Sequence, residues 1–386
     1  MSTPEGPDPE RLFALFTELV RIDSESGGER RVSDYIKGLC TELGFVVRED
    51  GAGRQTGGEC GNLFVGVPGS GFQELEPIIL NAHMDTVAPG VGIIPVDAGD
   101  RFVSRSDTVL GADCKVGIAA ILAAAEAVSE SGLPHRALQL VFTVQEEPGL
   151  LGVRHMDLSL IRGRWGVVLD GSGPIGGIVV EAPGQDQVKF TVRGRSAHSG
   201  IEPEKGVNAI ACAADAISSI KIGRHDGATT SNIGLFSGGT AVNIVPETAV
   251  VEGEIRSLES SRLEQERDAM IGAFKSAARR HGCKIGIEVD RTFEQFHLPS
   301  DSHPVRYLSA ALVECGFNPS LARSGGGSDA NILNHAGFEM AVMQIGLANA
   351  HSKDEYILKE DLVAAARVVN KLPFIVLDEE TRVGGS

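Results

Sequence analysis

The sequence predicts an α/β protein: a mostly parallel sheet covered by helices, with a ferredoxin-like α+β lid domain inserted into it. Three observations carry this reading. Short, continuous apolar runs recur at residues 77–82, 137–144, 165–169 and 339–345, without the alternation of a half-wetted strand. Runs of this length suit strands buried on both faces. The first two are separated by an Ala-rich helical stretch at 115–130, and strand–helix–strand repeats of this kind favour a parallel sheet. The middle third then reads β-α-β-β-α-β, the order of a ferredoxin-like module.

Each element has a local cause. Residues 9–22 have helical apolar spacing, with Asp8 as N-cap and Pro9 at the first position. Residues 28–43 form a second helix, stopped by Gly44. The polar, Gly-rich stretch 50–59 reads as a loop. In the module, 187–194 alternates as a strand and 206–220 is helical. Residues 230–236 and 247–255 are strands, 261–281 is a long amphipathic helix stopped by Gly282, and 284–289 is the last strand. Helices at 304–315, 328–335 and 360–371 complete the chain. The expected organisation is a catalytic-type domain from 1–182 and 295–386, with the lid at 183–294.

Composition narrows the function. The hydrophobic share of 42% is enough for a core, and the 386 residues suggest two domains. Asp and Glu total 52 against 35 Lys and Arg, a net charge of −17. Such a chain repels phosphate backbones and anionic lipid, so nucleic acid and membrane surfaces are not expected partners. The N-terminus has no secretory pattern, and the six scattered cysteines include no CxxC pair. Reduced, mostly buried thiols in a cytoplasmic protein are therefore expected, rather than disulfides or a cysteine zinc site. His135 and His281 are expected at the surface.

The chemistry sits at the strand ends. The run at 77–82 leads into His83 and Asp85, that at 137–144 into Glu146 and Glu147, that at 165–169 into Asp170, and that at 339–345 toward His351. Ligands of an open α/β sheet bind beyond the carboxyl ends of its strands. Carboxylates crowded on one rim repel unless a cation neutralises them. Imidazole with carboxylate suits Zn²⁺, with Mn²⁺ or Co²⁺ as alternatives, and so many ligands imply two ions. Asp85, two residues after His83 on extended backbone, is placed to accept its second ring N–H. Glu146 and Glu147 point in different directions, so one can bind metal while the other serves as base.

The segments Asn81-Ala82-His83-Met84-Asp85-Thr86-Val87, Gly111-Ala112-Asp113-Cys114-Lys115-Val116-Gly117, Glu146-Glu147, Leu169-Asp170-Gly171 and Asn349-Ala350-His351-Ser352 occur in that order. Together they resemble the dinuclear zinc metallopeptidases that include peptidase T, carboxypeptidase G2-type enzymes and succinyl-diaminopimelate desuccinylase, with the peptidase T-like branch most similar. The resemblance implies the phosphorylase/hydrolase-like fold of zinc exopeptidases. It implies His83 and Asp170 as terminal ligands of one ion, Glu147 and His351 as those of the other, and Asp113 as the bridge. Glu146 would be the general base and Asp85 the orienting acid. In the lid, His198 would polarise the scissile carbonyl, with Asn243 and Arg256 holding a small peptide substrate. A homodimer through the lid is also implied.

The implied activity is that of a tripeptide aminopeptidase. An N-acyl amino acid deacylase or carboxypeptidase is the alternative within the family, and a non-catalytic metal-dependent binding protein the alternative outside it. Two departures stand out. Cys114 replaces a second Asp found in many relatives. Gly325 stands where peptidase T has Arg, with Arg323 two residues earlier, which bears on peptide length.

Overall fold

The computed structural model describes residues 6–377. They form two compact units, one built from the chain up to Glu181 with His297–Ser324 and everything from Ser328 onward, the other from Ala182–Phe296 with Gly325–Gly327.

The larger unit is organised on a nine-stranded sheet. Its centre is four parallel strands in the order Leu138–Thr143, Ile78–His83, Trp165–Ser172 and Glu339–Leu347. The first two are buried along their whole length, their polar residues Gln139, Thr143, Asn81 and His83 included. On the flanks the pairing is antiparallel: Leu63–Val67 with Leu138–Thr143, Val46–Glu49 with Leu63–Val67, and Gly177–Ala182 with Glu339–Leu347. The parallel expectation thus describes the centre of a mixed sheet.

The helix Ala112–Glu130 packs against the sheet and is buried from Val116 through Ala125. Its many alanines allow that close approach. Helices Pro9–Arg21 and Lys359–Lys371 pack on it in turn. Asp8 caps the first of these as expected, accepting N–H bonds from Glu10 at 2.8 Å and Arg11 at 3.1 Å.

The smaller unit is a five-stranded antiparallel sheet in the order Gly223–Arg224, Thr229–Gly238, Thr248–Ser257, Gly184–Arg193, Lys284–Phe293. Leaving out the two-residue Gly223–Arg224 piece, this is the ferredoxin-like arrangement. Helices Ala209–Ser218 and Ser260–His281 pack together and against the sheet. The core is anchored by Phe190 stacked on Phe274, with ring centroids 3.8 Å apart. Gly282 ends the long helix with φ +69°, a conformation that favours glycine.

Two local expectations are corrected. The stretch 50–59 contains a short helix, Ala52–Thr56, because Gly57 at φ +76° supplies a left-handed stop and Asp50 accepts the Ala52 N–H. His135 is buried, not exposed. It pairs with Ser70 through backbone bonds in both directions, and its ring lies beside Phe374. No helix among the described residues is long and apolar enough to cross a membrane.

Candidate metal centre and active site

The carboxyl ends of the four parallel strands deliver the predicted residues to one place. His83 is the last residue of its strand, Asp170 lies near the end of Trp165–Ser172, and Glu146 and Glu147 follow Leu138–Thr143. His351 follows Glu339–Leu347, and Asp113 enters from the start of the Ala112–Glu130 helix.

Asp113 sits between two groups. Its Oδ1 is 3.1 Å from His83 Nε2, which is itself 3.7 Å from Asp170 Oδ1. Its Oδ2 is 3.3 Å from His351 Nε2, which is 3.1 Å from Glu147 Oε1. Potential ligand atoms of His83, Asp113 and Asp170 lie within 4.8 Å of one another, and so do those of Asp113, Glu147 and His351. One carboxylate therefore offers an oxygen to each of two clusters.

The electrostatics mark a site short of positive charge. Burial, then the neighbouring Asp113 charge, push Asp170 up to about 8. Contacts with Asp113 and Glu147 hold His351 up at about 10. Burial would lower His83, but bonds to Asp113, Asp170 and Asp85 override it and hold the imidazole well above its ordinary value. Burial would raise Asp113, and its bonds to His351 and His83 override that. The raised proton affinities of Asp170, His83 and His351 mark negative surroundings that a pair of cations would neutralise. Glu147 Oε1 is a further sign: it is buried, and it faces the His351 imidazole at 3.1 Å. The donor set, two imidazoles and three carboxylates with one shared, fits two divalent ions.

Cys114 lies beside the first cluster, but its thiol donates to the Leu169 carbonyl at 2.6 Å and burial raises its pKa well above the ordinary thiol value. A raised thiol pKa disfavours the thiolate that binds metal, which sets Cys114 apart from the candidate ligands.

Asp85 does more than face His83. His83 Nδ1 is nearest the Asp85 backbone carbonyl, at 2.9 Å, and 3.4 Å from the side-chain Oδ1. The fully buried carboxylate accepts the Glu146 N–H at 2.9 Å, the Glu147 N–H at 3.2 Å and the Ser26 hydroxyl at 2.6 Å. Glu146 itself is buried. Its pKa is raised well above the carboxylate norm, first by burial and then by the charge of Asp170, with Asp329 and Glu147 adding to it. A carboxylate with raised proton affinity is what a general base needs.

Three supporting acids escaped the sequence reading. Asp329 is buried and accepts from Asn81 Nδ2 at 3.0 Å and the Thr143 hydroxyl at 2.6 Å, tying two site-bearing strands to the helix Asp329–His335. Glu29 accepts the Gly27 and Gln145 N–H groups at 2.9 and 3.0 Å. Glu355 accepts those of Gly111 and Asp113. Only Asp329 carried a signal, lying four residues after Gly325, where the chain departs from peptidase T. Ser328 does head that helix, its N–H bonded to Asn331 Oδ1 at 3.1 Å.

The lid residues lie in the smaller unit. The structure brings His198 and Asn243 onto adjacent exposed loops, joined by a Ser199 N–H to Asn243 carbonyl bond of 3.1 Å. Gly200 donates to His198 Nδ1 at 3.2 Å, which leaves Nε2 to carry the ring proton. Arg256 is engaged elsewhere: its guanidinium grips Glu254 through two bonds of 3.1 and 3.0 Å.

Comparison with known proteins finds peptidases. Residues 180–282 match the family model described as the peptidase dimerisation domain of the M20 group, and residues 62–170 match that of peptidase family M28. The aminopeptidase PepT of Bacillus cereus is 37% identical with a TM-score of 0.85, covering 95% of this chain and 98% of its own. A tripeptidase from Staphylococcus aureus is 32% identical with a TM-score of 0.90, covering 96% and 99%.

The chain belongs to the M20 peptidase family. In fold it also resembles the Bacillus subtilis YXEP protein, a dinuclear metal-binding peptidase of the same family, at 18% identity, with a TM-score of 0.71 and coverage of 96% and 98%. For this M20 chain, Asp113 lies where two metal sites would share a ligand.

Proposed function

We propose that the chain is a metal-dependent exopeptidase acting on short peptides, a tripeptide aminopeptidase that holds two divalent ions, with Zn²⁺ preferred over Co²⁺ or Mn²⁺. The observation that supports it most is Asp113, with one oxygen turned to His83 and Asp170 and the other to His351 and Glu147. Similarity to PepT of Bacillus cereus and to the Staphylococcus aureus tripeptidase favours a peptide with a free amino terminus. Six unpaired cysteines favour a cytoplasmic setting.

In this reading His83, Asp170, Asp113, Glu147 and His351 hold the ions, which when bound acidify water and polarise the scissile carbonyl. Glu146 takes the proton of the attacking water and returns it to the leaving amine. Asp85 fixes the backbone that presents Glu146 and Glu147. His198, with its proton on Nε2, is proposed to donate to the carbonyl oxygen as charge develops there. Asn243 and Arg256 are proposed to hold the peptide, Arg256 only after leaving Glu254.

A homodimer through the lid is part of the proposal. Gly223–Arg224 covers the outer edge of Thr229–Gly238 only at Thr230 and Ser231. Farther along that strand Leu235 is 65% and Phe236 45% exposed. A long apolar edge of this kind invites pairing with a second copy.

The test is a panel of di-, tri- and tetrapeptides with free or acetylated amino termini, run on chelator-treated protein before and after adding zinc or cobalt. Release of the N-terminal residue from free tripeptides, only after ion addition, is expected. Cleavage of acetylated substrates alone would overturn the aminopeptidase reading in favour of a deacylase.

A further inference from the structure

We infer that Glu355 is a positioning residue for both metal ions, a single buried carboxylate that fixes the backbone carrying the shared ligand and braces the loop carrying His351. The inference rests on the dinuclear reading above.

Glu355 is only 2% exposed. Burying a carboxylate is unfavourable unless fixed donors meet it. The donors here are two backbone amides more than 200 residues away in sequence. Gly111 N–H reaches Oε2 at 2.7 Å and Asp113 N–H reaches Oε1 at 3.0 Å. Both oxygens are used, so the carboxylate clamps the Gly111–Asp113 backbone in one orientation. That orientation sets the backbone from which the Asp113 carboxylate reaches between His83 and His351.

The other end of the clamp is the loop of His351. The Glu355 N–H donates to the Ser352 carbonyl at 3.2 Å, and the Ser352 hydroxyl donates to the Asn349 carbonyl at 2.7 Å. Asn349 Nδ2 returns to the Asp354 carbonyl at 3.2 Å. This ring of bonds surrounds two residues in the left-handed region, Asn349 at φ +54° and His351 at φ +62°. Non-glycine residues enter that region at a penalty and stay there only when their surroundings hold them. Glu355 therefore joins a strained, ligand-bearing loop to the backbone of the bridging ligand. No bond runs from it to a ligating atom, so its action is through position.

The distinguishing variant is Glu355→Gln. Its amide oxygen can accept one N–H, but its amino group must then face the other, leaving a buried donor unpaired. The experiment titrates Zn²⁺ into chelator-stripped wild-type and variant protein by calorimetry, and repeats it with Co²⁺, following the visible absorption bands. Wild type is expected to take up two ions per chain. The variant is expected to bind both ions about 10- to 100-fold more weakly, the usual effect of losing a group that orients a ligand. Its lost turnover should return at high metal concentration.

Two tight ions in the variant, with the wild-type isotherm, overturn the inference while leaving the dinuclear reading intact. A wild type that binds no ion overturns both. Should the variant not fold, amide exchange on stripped wild type decides: slow exchange at Gly111 and Asp113, beside fast exchange at exposed Asp107, supports a pre-formed clamp, and fast exchange at all three overturns it.

Discussion

Replacing Asp85 with Asn separates two roles for that carboxylate. The asparagine keeps the shape but has one acceptor oxygen in place of two. With that oxygen at the Oδ1 position, the Glu146 N–H is retained and the amino group faces the Glu147 N–H and Ser26 hydroxyl. In the flipped pose Glu147 is served and Glu146 is not. Either way one charge-assisted bond worth about 1.5–3 kcal/mol is lost, and a buried N–H is left unpaired at about 1–3 kcal/mol. A total of about 2.5–6 kcal/mol, if it falls on the geometry of the base, lowers kcat roughly 10²- to 10⁴-fold.

The assay is tripeptide turnover at saturating zinc, with bound metal measured on the same sample. If Asp85 acted only by orienting His83, saturating metal would restore kcat, because the Asp85 backbone carbonyl already holds the ring at 2.9 Å. If it acts through the backbone of Glu146 and Glu147, kcat stays low with both ions bound. A kcat within about threefold of wild type at full occupancy would refute the backbone role, since that corresponds to under about 1 kcal/mol.

Glu146→Gln should lower kcat by about 10²- to 10⁴-fold, with the ion count by metal analysis unchanged, because Glu146 is outside both ligand clusters. Ion binding should raise the melting temperature, each site adding about 2.7 kcal/mol at a free ion concentration 100-fold above its Kd; calorimetric scans with and without chelator check this. Glu29 is pushed up to about 7, chiefly by burial. Between about 4.5 and 7 the folded chain therefore holds a proton that the unfolded chain has lost, and stability falls as pH rises through that window. Glu29→Gln, which resembles the protonated acid, should match wild type near pH 4 and exceed it at pH 8 by up to about 3 kcal/mol in denaturant unfolding. Leu235→Glu should turn a lid-mediated dimer into a monomer in sedimentation, with peptide turnover measured alongside to show whether the lid site needs the partner.

Elements that a single local cause determines were legible in the sequence. The buried parallel strands announce themselves by mostly apolar runs without polar alternation, and the helix Pro9–Arg21 by its Asp8 cap and Pro9 start. The positions of His83, Glu146, Glu147 and Asp170 followed from one rule, that strand ends in such sheets carry the chemistry. The flanking strands were harder to read. Val46–Glu49 is mostly exposed and pairs only at the sheet's edge, so no apolar pattern marks it. Ala52–Thr56 hid in a Gly-rich stretch whose glycines stop a turn of helix instead of preventing it. Glu355 lies in the polar run Ser352-Lys353-Asp354-Glu355, which reads as a wetted loop; its burial depends on amides more than 200 residues away, and no local pattern encodes that.

The supporting acids share a physical logic. Glu29, Asp85 and Glu355 each accept two backbone N–H groups, and in each case at least one belongs to a segment that presents a candidate ligand or the base. Backbone amides have no rotamers, so a carboxylate bound to two of them is fixed without long side chains being ordered at both ends. Two of the segments they fix also hold residues in the left-handed region: Gln145 at φ +48°, whose N–H Glu29 takes, and His351 at φ +62°. Strained backbone needs such restraint to persist. The −17 net charge then has a local counterpart. This rim concentrates negative charge both in the groups that would bind cations and in those that hold the backbone beneath them, and the braces are directed at amides, which leaves the ligating oxygens for the ions.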